Sequence, residues 1–243
     1  MRLTILSYNV EGLTLEYNYC IDQSLEQYII KKSKVLNKYL AKIDADIICI
    51  QEYTPILNIN PGDEYSSIKD KPYAIFYRKS MFEFISHKCN ETSGLVATLS
   101  MNGFIFKVGA NRLPASSEKI ATREKILNDL DKASRDEISI YALDTNMKKS
   151  EEKPLKNLAD CFYQASVTKG YYTLDKKTNP YFLGDDKNLT RTCYDKIFCS
   201  KIFDCEQCTI LTPKSNKKLV HTSYPFGGLS DHYPLLAVLT IDE

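Results

Sequence analysis

The sequence predicts an α+β sandwich, in which two β-sheets pack face to face and helices cover their outer surfaces. Strand-like segments outnumber helix-like segments, and several of them follow one another directly along the chain. A doubly wound fold would need strands and helices in alternation and usually a glycine fingerprint, and the sequence has neither. The chain of 243 residues has no internal repeat and no linker rich in Gly, Pro or Ser, which predicts a single domain over residues 1–243.

The predicted strands are short apolar segments that alternate in polarity or are bounded by turn residues. An Asn-Gly pair at residues 102–103 favours a hairpin between two of them. The predicted strands are residues 3–10, 46–51, 73–78, 82–86, 95–99, 104–108, 138–143, 194–199 and 235–241.

Two longer segments have apolar residues at helical spacing. The first, residues 23–43, has lysines between its apolar positions, as an amphipathic surface helix does. The second, residues 116–130, has Ser116 or Ser117 as a cap. Residues 158–162 are expected to form a short helix, and residues 54–65 and 168–192 are expected to be largely loop.

The charge balance argues against binding to nucleic acid through the overall field of the protein. Lys plus Arg number 32 and Asp plus Glu number 31, so a nucleic-acid partner would need a local basic patch. No signal peptide is apparent, and no apolar run approaches the length of a membrane span. The expected location is therefore intracellular, cytoplasmic or nuclear, with no membrane partner.

Eight cysteines are scattered along the chain without a paired CxxC metal pattern. Cys205 and Cys208 form one isolated CxxC, for which the sequence shows no further ligands. Cys49 and Cys199 lie in apolar runs and are expected to pack as small hydrophobic residues. The cysteines favour a reducing compartment over a zinc site.

Polar side chains stand at or near the ends of five predicted strands. An unpaired polar group is costly in a core, so acids, amides and an imidazole that recur at strand ends predict a shared site. These residues are Asn9, Glu52, Asp144 with Asn146, Asp195, and Asp231 with His232.

Five motifs containing these residues occur in the order found in the endonuclease/exonuclease/phosphatase superfamily, which the chain resembles from residue 3 to residue 240. The motifs are YNVEG at residues 8–12, QE at 51–52, DTN at 144–146, DKIF at 195–198 and SDH at 230–232. The resemblance implies a DNase I-like fold and hydrolysis of phosphoesters with one catalytic Mg²⁺. Within the superfamily, DTN and DKIF resemble the motifs of 5′-tyrosyl-DNA phosphodiesterases.

The resemblance also implies roles for the site residues. Glu52 would ligate Mg²⁺, or Mn²⁺ as the alternative, and Glu11 and Asp231 would lie near the metal through water, because hard cations take oxygen ligands. Asp144 would activate the attacking water, and Asp195 would orient His232. The donors to the phosphoryl oxygens would be Asn9, Asn146 and His232.

The chain departs from the family pattern at several positions. Arg112 stands where the family has the His of a His-Leu unit; it can bind a phosphate oxygen but cannot act as an acid at neutral pH. The presence of Arg112 in place of the histidine favours a tyrosyl leaving group, whose pKa is about 10. The same replacement equally permits loss of activity. Leu143 and Tyr8 replace a Gly and a Trp, and Leu174 stands where the tyrosyl-DNA enzymes have a DNA-gripping Trp.

Base stacking would then fall to tyrosines such as Tyr171, Tyr172 or Tyr181. Lys148 follows the DTN loop and could contact substrate phosphates, whereas the other short basic runs are expected to be solvated.

Each site residue also has a structural interpretation: Asn9, Asp144 and Asn146 could form turns, Glu52 could be a solvated strand-end residue, and His232 could be structural. Three functions therefore stay open. The first is a phosphodiesterase acting, as a monomer, on nucleic acid with a 5′ adduct. The second is an apurinic-site endonuclease, a general nuclease or a small-substrate phosphatase. The third is an inactive nucleic-acid-binding module.

Overall fold

Two mixed six-stranded sheets are built from the residues that the computed structural model describes, which are 1–165, 172–182, 190–212 and 229–241. The strands are β1 (Arg2–Asn9), β2 (Ile47–Gln51), β3 (Tyr65–Asp70), β4 (Tyr73–Arg78), β5 (Glu83–Asn90), β6 (Gly94–Met101), β7 (Phe104–Arg112), β8 (Ser139–Asp144), β9 (Leu158–Asp160), β10 (Leu174–Asp175), β11 (Arg191–Thr192), β12 (Asp195–Ser200), β13 (Asp204–Ile210) and β14 (Leu235–Thr240). The helices are α1 (Gly12–Ile21), α2 (Glu26–Ile43), α3 (Ile120–Ala133) and α4 (Cys161–Gln164).

Sheet A has the strand order β13-β14-β1-β2-β4-β3, and sheet B has the order β5-β6-β7-β8-β12-β9. Only β1–β2 and β7–β8 are parallel among the described pairs within these sheets; the remaining pairs are antiparallel. Strands β10 and β11 form a separate two-stranded ladder. The predicted α+β sandwich is confirmed.

Three apolar layers hold the sandwich together. The inner layer lies between the sheets and takes side chains from both, such as Ile5 and Ile75 of sheet A and Val108 and Ile140 of sheet B. A second layer joins the outer face of sheet A to α1 and α2. A third joins the outer face of sheet B to α3. Because strand residues alternate between faces, each central strand supplies both an inner and an outer layer.

Polar bonds cross between the sheets close to the end of β2. The Gln51 side-chain amide donates to Ser7 Oγ at 3.1 Å in its own sheet and to the Ala142 carbonyl at 2.9 Å in the other. The Tyr73 hydroxyl donates to Asn111 Oδ1 at 2.8 Å, also between sheets. These buried bonds fix how the two sheets align at the edge where the polar motifs lie.

The predicted elements match the strands better than the short helices. Segment 73–78 is a strand over its full predicted length, and the helix predicted over residues 23–43 is α2 preceded by a 3₁₀ turn, Gln23–Leu25. Ser116 caps the segment before α3, because its Oγ accepts the Glu118 amide. The short helix predicted over residues 158–162 is wrong: β9 occupies 158–160, and α4 begins only at Cys161.

Elements without a clear period were missed. Helix α1 exposes Tyr17 and Ile21, so its apolar residues do not mark one face. Strands β3 and β13 were not predicted, and β3 begins at Tyr65, the last residue of the predicted loop 54–65. No helix among the described residues is long and apolar enough to cross a membrane.

Candidate active site

Strand alternation delivers polar residues to the inner face at one edge of the sandwich. The odd-numbered residues of β1 face the inner layer, and Asn9 is the last of them. The even-numbered residues of β7 and β8 do the same, and their last members are Arg112 and Asp144. On β12 the odd-numbered residues face inward, and Asp195 is the first. Strand β12 runs antiparallel to β8, so its first residue lies beside Asp144.

The Asn9 amide joins carboxylates that come from different sheets. Its Nδ2 donates to Glu52 Oε1 at 3.1 Å and to Asp144 Oδ2 at 2.9 Å. Its Oδ1 accepts the Glu11 backbone amide at 2.9 Å. The side chains of Asn9, Glu52 and Asp144 are all buried, and both polar atoms of the Asn9 amide have hydrogen-bond partners. The turn interpretation of Asn9 is therefore correct in part, and it is compatible with a role in the site.

An unusual backbone conformation positions Glu52 in the site. It follows β2 with φ at 54°, in the left-handed region that non-glycine residues seldom adopt. Gly12 lies against this turn: a Cβ on Gly12 would be 2.2 Å from the Glu52 carbonyl oxygen. The glycine of the YNVEG motif is therefore needed so that the start of α1 can approach the Glu52 backbone.

Arg112 lies between the same two carboxylates. Its Nε is 2.8 Å from Glu52 Oε1 and 3.4 Å from Asp144 Oδ2, although neither contact has the geometry of a hydrogen bond. The side chain is 34% exposed, and its two Nη groups have no hydrogen-bond partner within the described ranges. The residue that replaces the family histidine is thus an ion-pair partner with donors left for an anion.

Asp195 and His232 form a buried pair. His232 Nδ1 lies 2.7 Å from Asp195 Oδ2. Burial lowers the pKa of His232, but the Asp195, Asp231 and Asp144 carboxylates outweigh burial and raise its pKa well above the ordinary value. The raised pKa favours the imidazolium form, in which Nδ1–H is donated to Asp195 and Nε2–H is left as a donor.

Burial also changes the pKa of the Asp144 carboxyl. Removal from water raises the pKa of its carboxyl to about 6, because the nearby His232 and Arg112 charges only partly offset the loss of solvent. Asn146, with φ at 50°, donates its backbone amide to Asp144 Oδ1 at 3.1 Å. Its side-chain amide donates to the Leu113 carbonyl at 2.9 Å. The DTN motif is thus an Asx turn that also positions a basic carboxylate.

Glu11 is placed differently from the other acids. Its Oε2 lies 3.2 Å from Lys32 Nζ in a fully buried ion pair, and its Oε1 accepts the Tyr181 hydroxyl. A carboxylate neutralised in this way is less available to a metal. Its role as a metal-proximal acid stays a prediction.

The remaining predicted residues lie at the margin. Asp231 is half-buried, with Oδ2 at 3.9 Å from His232 Nε2, and it accepts from Ser230 Oγ. Lys148 is exposed beside the DTN loop. Tyr172 lies under Arg191, whose guanidinium carbon is 4.3 Å from the ring centroid, whereas Tyr181 is buried and cannot stack on a base. Tyr171 lies outside the described residues.

Sequence reasoning missed the segment 172–182, which braces these motifs. Thr173 Oγ1 accepts the backbone amides of Tyr194 and Asp195, each at 3.0 Å, and the Thr173 carbonyl accepts the Tyr233 amide at 2.6 Å. Asn179 Nδ2 donates to the carbonyls of Ser230 and Asp231, both at 3.0 Å. Thr and Asn in a predicted loop gave no signal beyond turn formation.

The site carries more negative than positive charge. Four carboxylates, those of Glu52, Asp144, Asp195 and Asp231, surround two cations, Arg112 and the His232 imidazolium. Asp195 Oδ1 is buried and has no hydrogen-bond partner among the described residues. An excess of two negative charges and a free carboxylate oxygen fit a divalent cation with oxygen ligands.

The donor atoms also bear on which cation fits. One ligand atom each from Asp144, Asp195 and His232 lies within 4.8 Å of the other two. His232 Nδ1 already contacts Asp195 Oδ2 at 2.7 Å, so the carboxylates are the first donors to consider. The residues present thus suit a divalent metal, and their chemistry favours a hard one.

No protein-family model and no curated protein matches the chain. Solved structures do match over nearly its whole length. D. rerio TDP2 complexed with single strand DNA product is 20% identical with a TM-score of 0.73, and the match covers 98% of this chain and 99% of that chain.

Two proteins of Bacteroides thetaiotaomicron match similarly. An endonuclease/exonuclease/phosphatase family protein is 19% identical with a TM-score of 0.72, covering 100% of this chain and 96% of that chain. A mannosyl-6-phosphatase is 18% identical with a TM-score of 0.69, covering 98% and 100%. The chain therefore has the fold of TDP2 and of the endonuclease/exonuclease/phosphatase proteins, as its motifs predict.

Thr173→Val is expected to destabilise the protein by about 1–3 kcal/mol, because the buried amide of Asp195 and the part-buried amide of Tyr194 lose their acceptor. Thr173→Ser keeps the Oγ and is the matched control, with a smaller loss. Urea unfolding followed by circular dichroism measures both, and equal stability of the Val and Ser variants would contradict the bracing role.

Asp144→Asn is expected to stabilise the metal-free protein near neutral pH by about 1–3 kcal/mol. The raised pKa of Asp144 means that the folded state binds a proton more readily than the unfolded state. Stability from this group therefore falls as pH rises from about 4 to about 6, and the Asn variant escapes that loss.

Urea unfolding at several pH values checks this difference, which should vanish below about pH 4. Exposed Asp129→Asn serves as the control and should show no such gain. An Asp144→Asn variant that is less stable than the parent near neutral pH would show that the carboxylate charge is compensated in place.

Proposed function

We propose that the protein is a divalent-metal-dependent phosphodiesterase that hydrolyses a phosphoester of nucleic acid, with a 5′-tyrosyl linkage as its substrate. The observation that carries the proposal is the contact set at the inner edge of the sandwich. Asn9 joins Glu52 to Asp144, and the Asp195–His232 pair lies beside them. A base, fixed cations and amide donors around one rim are what in-line displacement at phosphorus requires.

Asp144 supports the proposal as the base. Its pKa of about 6 leaves it ionised at neutral pH and basic enough to take a proton from water. The hydrogen bonds from Asn9 and from the Asn146 backbone hold both oxygens in place. Asp144 therefore aligns the attacking water and removes its proton.

His232 and the amides act on the phosphoryl group. Asp195 holds the ring through Nδ1, so Nε2–H would be the donor to an equatorial phosphoryl oxygen. The Asn146 side-chain amide donates to the Leu113 carbonyl, and its second N–H would donate to a phosphoryl oxygen. The fixed donors offset charge that is redistributed during displacement.

Glu52 would hold the metal, and Asp231 lies at the rim where it could act through water. Mg²⁺ bound there would supply Lewis-acid stabilisation of the phosphoryl oxygens. Mn²⁺ takes similar ligands and is the alternative. Glu11, paired with Lys32, contributes structure to the start of α1.

Arg112 supports an aryl leaving group. Its guanidinium binds a phosphate oxygen through the free Nη groups but donates no proton to a departing oxygen. A tyrosyl phenolate, with a pKa of about 10, departs without protonation far more readily than a sugar alkoxide. The DTN and DKIF motifs, and the fold shared with TDP2 that was solved with single-stranded DNA, support the same substrate class.

A small-substrate phosphatase is the second candidate. The fold match to a mannosyl-6-phosphatase covers that whole chain. The near-neutral net charge also fits a small phosphoester as well as a polynucleotide, since only local lysines such as Lys148 mark a nucleic-acid path. A binding module without turnover is the third candidate, because Arg112 already pairs with the proposed ligand Glu52.

A substrate panel tests the proposal. With Mg²⁺ or Mn²⁺ present, we expect the protein to release tyrosine from a 5′-phosphotyrosyl oligonucleotide and leave a 5′-phosphate, with little activity on abasic or plain oligonucleotides. Glu52→Gln and Asp144→Asn should each slow release by about 100-fold or more, whereas Asp129→Asn should not. Cleavage of the abasic duplex alone, or of sugar phosphates alone, would favour the second candidate, and no hydrolysis would favour the third.

Arg112→Met is expected to tighten Mn²⁺ binding by about tenfold and to slow hydrolysis. The variant removes a cation that lies beside Glu52 Oε1, so a second cation meets less repulsion there. Calorimetric titration measures the affinity, and exposed Arg135→Met is the control. An unchanged affinity would mean that Glu52 is not a metal ligand.

A further inference from the structure

One buried arginine on α3 clamps two segments of chain that lead away from the site. Arg123 is only 1% exposed and is the largest fully buried side chain among the described residues. Its Nη1 donates to the carbonyls of Pro114 at 2.9 Å and Ser116 at 2.7 Å, and its Nη2 donates to Glu151 Oε2 at 2.6 Å. We term these four residues the arginine clamp. None of the proposed catalytic steps uses Arg123.

Both clamped segments begin at residues of the site. Pro114 and Ser116 follow Arg112, the last residue of β7. Glu151 ends a 3₁₀ turn in the segment that follows Asp144, the last residue of β8. Strands β7 and β8 are parallel neighbours, so the two segments leave the sheet at the same edge. One guanidinium therefore ties the segment after β7 to the segment after β8.

Asn146 lies between the clamped segments and depends on their alignment. Its side-chain amide donates to the Leu113 carbonyl at 2.9 Å, and the Leu113 amide donates to the Asp144 carbonyl at 2.8 Å. Leu113 directly precedes Pro114, so holding the Pro114 carbonyl also limits how far the Leu113 carbonyl can turn. Asn146 has a φ of 50°, a conformation that persists only where the surroundings impose it.

A guanidinium suits this position although it does not favour stability. Its planar fork presents several N–H groups in fixed directions, which the single ammonium of a lysine does not reproduce. The buried Nε of Arg123 has no hydrogen-bond partner among the described residues, which costs free energy. A well-packed apolar pair in place of a buried ion pair is often as stable or more stable. What distinguishes the clamp from such a pair is the geometry that it imposes on the two segments.

We infer that Arg123 is a positioning residue, which sets the direction of the Asn146 side chain by holding the segments on either side of it. With the Leu113 carbonyl fixed, one N–H of the Asn146 amide is bound and the second keeps a constant direction. The role of that second N–H as a donor to substrate rests on the proposed function. The placement of Asn146 by the clamp does not, so it is tested separately.

Amide hydrogen exchange in the metal-free full chain, followed by NMR, tests the placement. In Arg123→Met, we expect the backbone amides of Leu113 and Asn146 to exchange about tenfold faster or more, relative to amides of β2 in the other sheet, because the segments open locally. Lys125→Met is the matched control, since it removes another cation of α3 whose ion pair with Asp129 is at the surface. Equal acceleration throughout the protein, or none, overturns the inference.

A second variant separates positioning from stability. Arg123→Met with Glu151→Leu replaces both charged partners by apolar side chains, so urea unfolding should return the free energy of unfolding at least to that of the parent. The two amides should nevertheless stay unprotected. Recovery of their protection together with stability would mean that the clamp only fills space. This double variant also decides the question if Arg123→Met alone does not fold.

Kinetics on the substrate that the panel identifies test the last step. Arg123→Met should lower kcat about tenfold or more with little change in KM, because a misplaced donor acts mainly on the transition state. In an Asn146→Ala background, Arg123→Met should lower kcat no further. An equal loss in both backgrounds would show that Arg123 does not act through Asn146. A parent protein without turnover overturns the proposed function instead, and amide exchange still decides on the clamp.

Discussion

Negative charge crowded into the buried edge of the sandwich is the constraint on which the site depends. Like charges repel strongly where water is excluded, so each carboxylate there needs a partner. The Asn9 amide donates to two of them, Arg112 lies between the same two, and His232 is held as a cation. Burial, aided by repulsion from Asp195, raises the pKa of Asp144 to about 6, and this makes it a better base. The buried Asp144 carboxylate therefore lowers the stability of the folded protein and leaves a reactive group in the site.

Much of this arrangement follows from the period of a strand. The sequence predicts β1 and β8 from their apolar residues and places Asn9 and Asp144 at or near the ends of these strands. Alternation then brings both side chains to the inner face once the sheets have assembled. The order of the five motifs along the chain then indicates the remaining site residues. The fold class was predictable for the same reason, since consecutive strands with apolar alternation need a second layer to cover each face.

Long-range contacts and broken periods could not be predicted in this way. A β-bulge at Glu206 removes the alternation that would have revealed β13. In the sequence, Glu11 resembles the other acids of the motifs. Lys32, twenty-one residues later on α2, forms a buried ion pair that neutralises it. Thr173 and Asn179 act through backbone amides and carbonyls elsewhere in the chain, and a loop sequence does not record such partners. These contacts exist only once the sheets have assembled.

The two cations at the site share a property that bears on the choice of substrate. An arginine such as Arg112 does not release a proton at neutral pH. The carboxylates around His232 stabilise its imidazolium form and so raise the pKa at which it loses its proton. In the proposed reaction, both residues would therefore offset charge on the phosphoryl group without protonating the departing oxygen. A leaving group of low basicity, such as a phenolate with a pKa of about 10, suits such a site. In the proposed reaction a sugar alkoxide would need a proton that these residues do not readily release, so the electrostatics that stabilise the site are the reason for proposing an aryl ester over an internal phosphodiester.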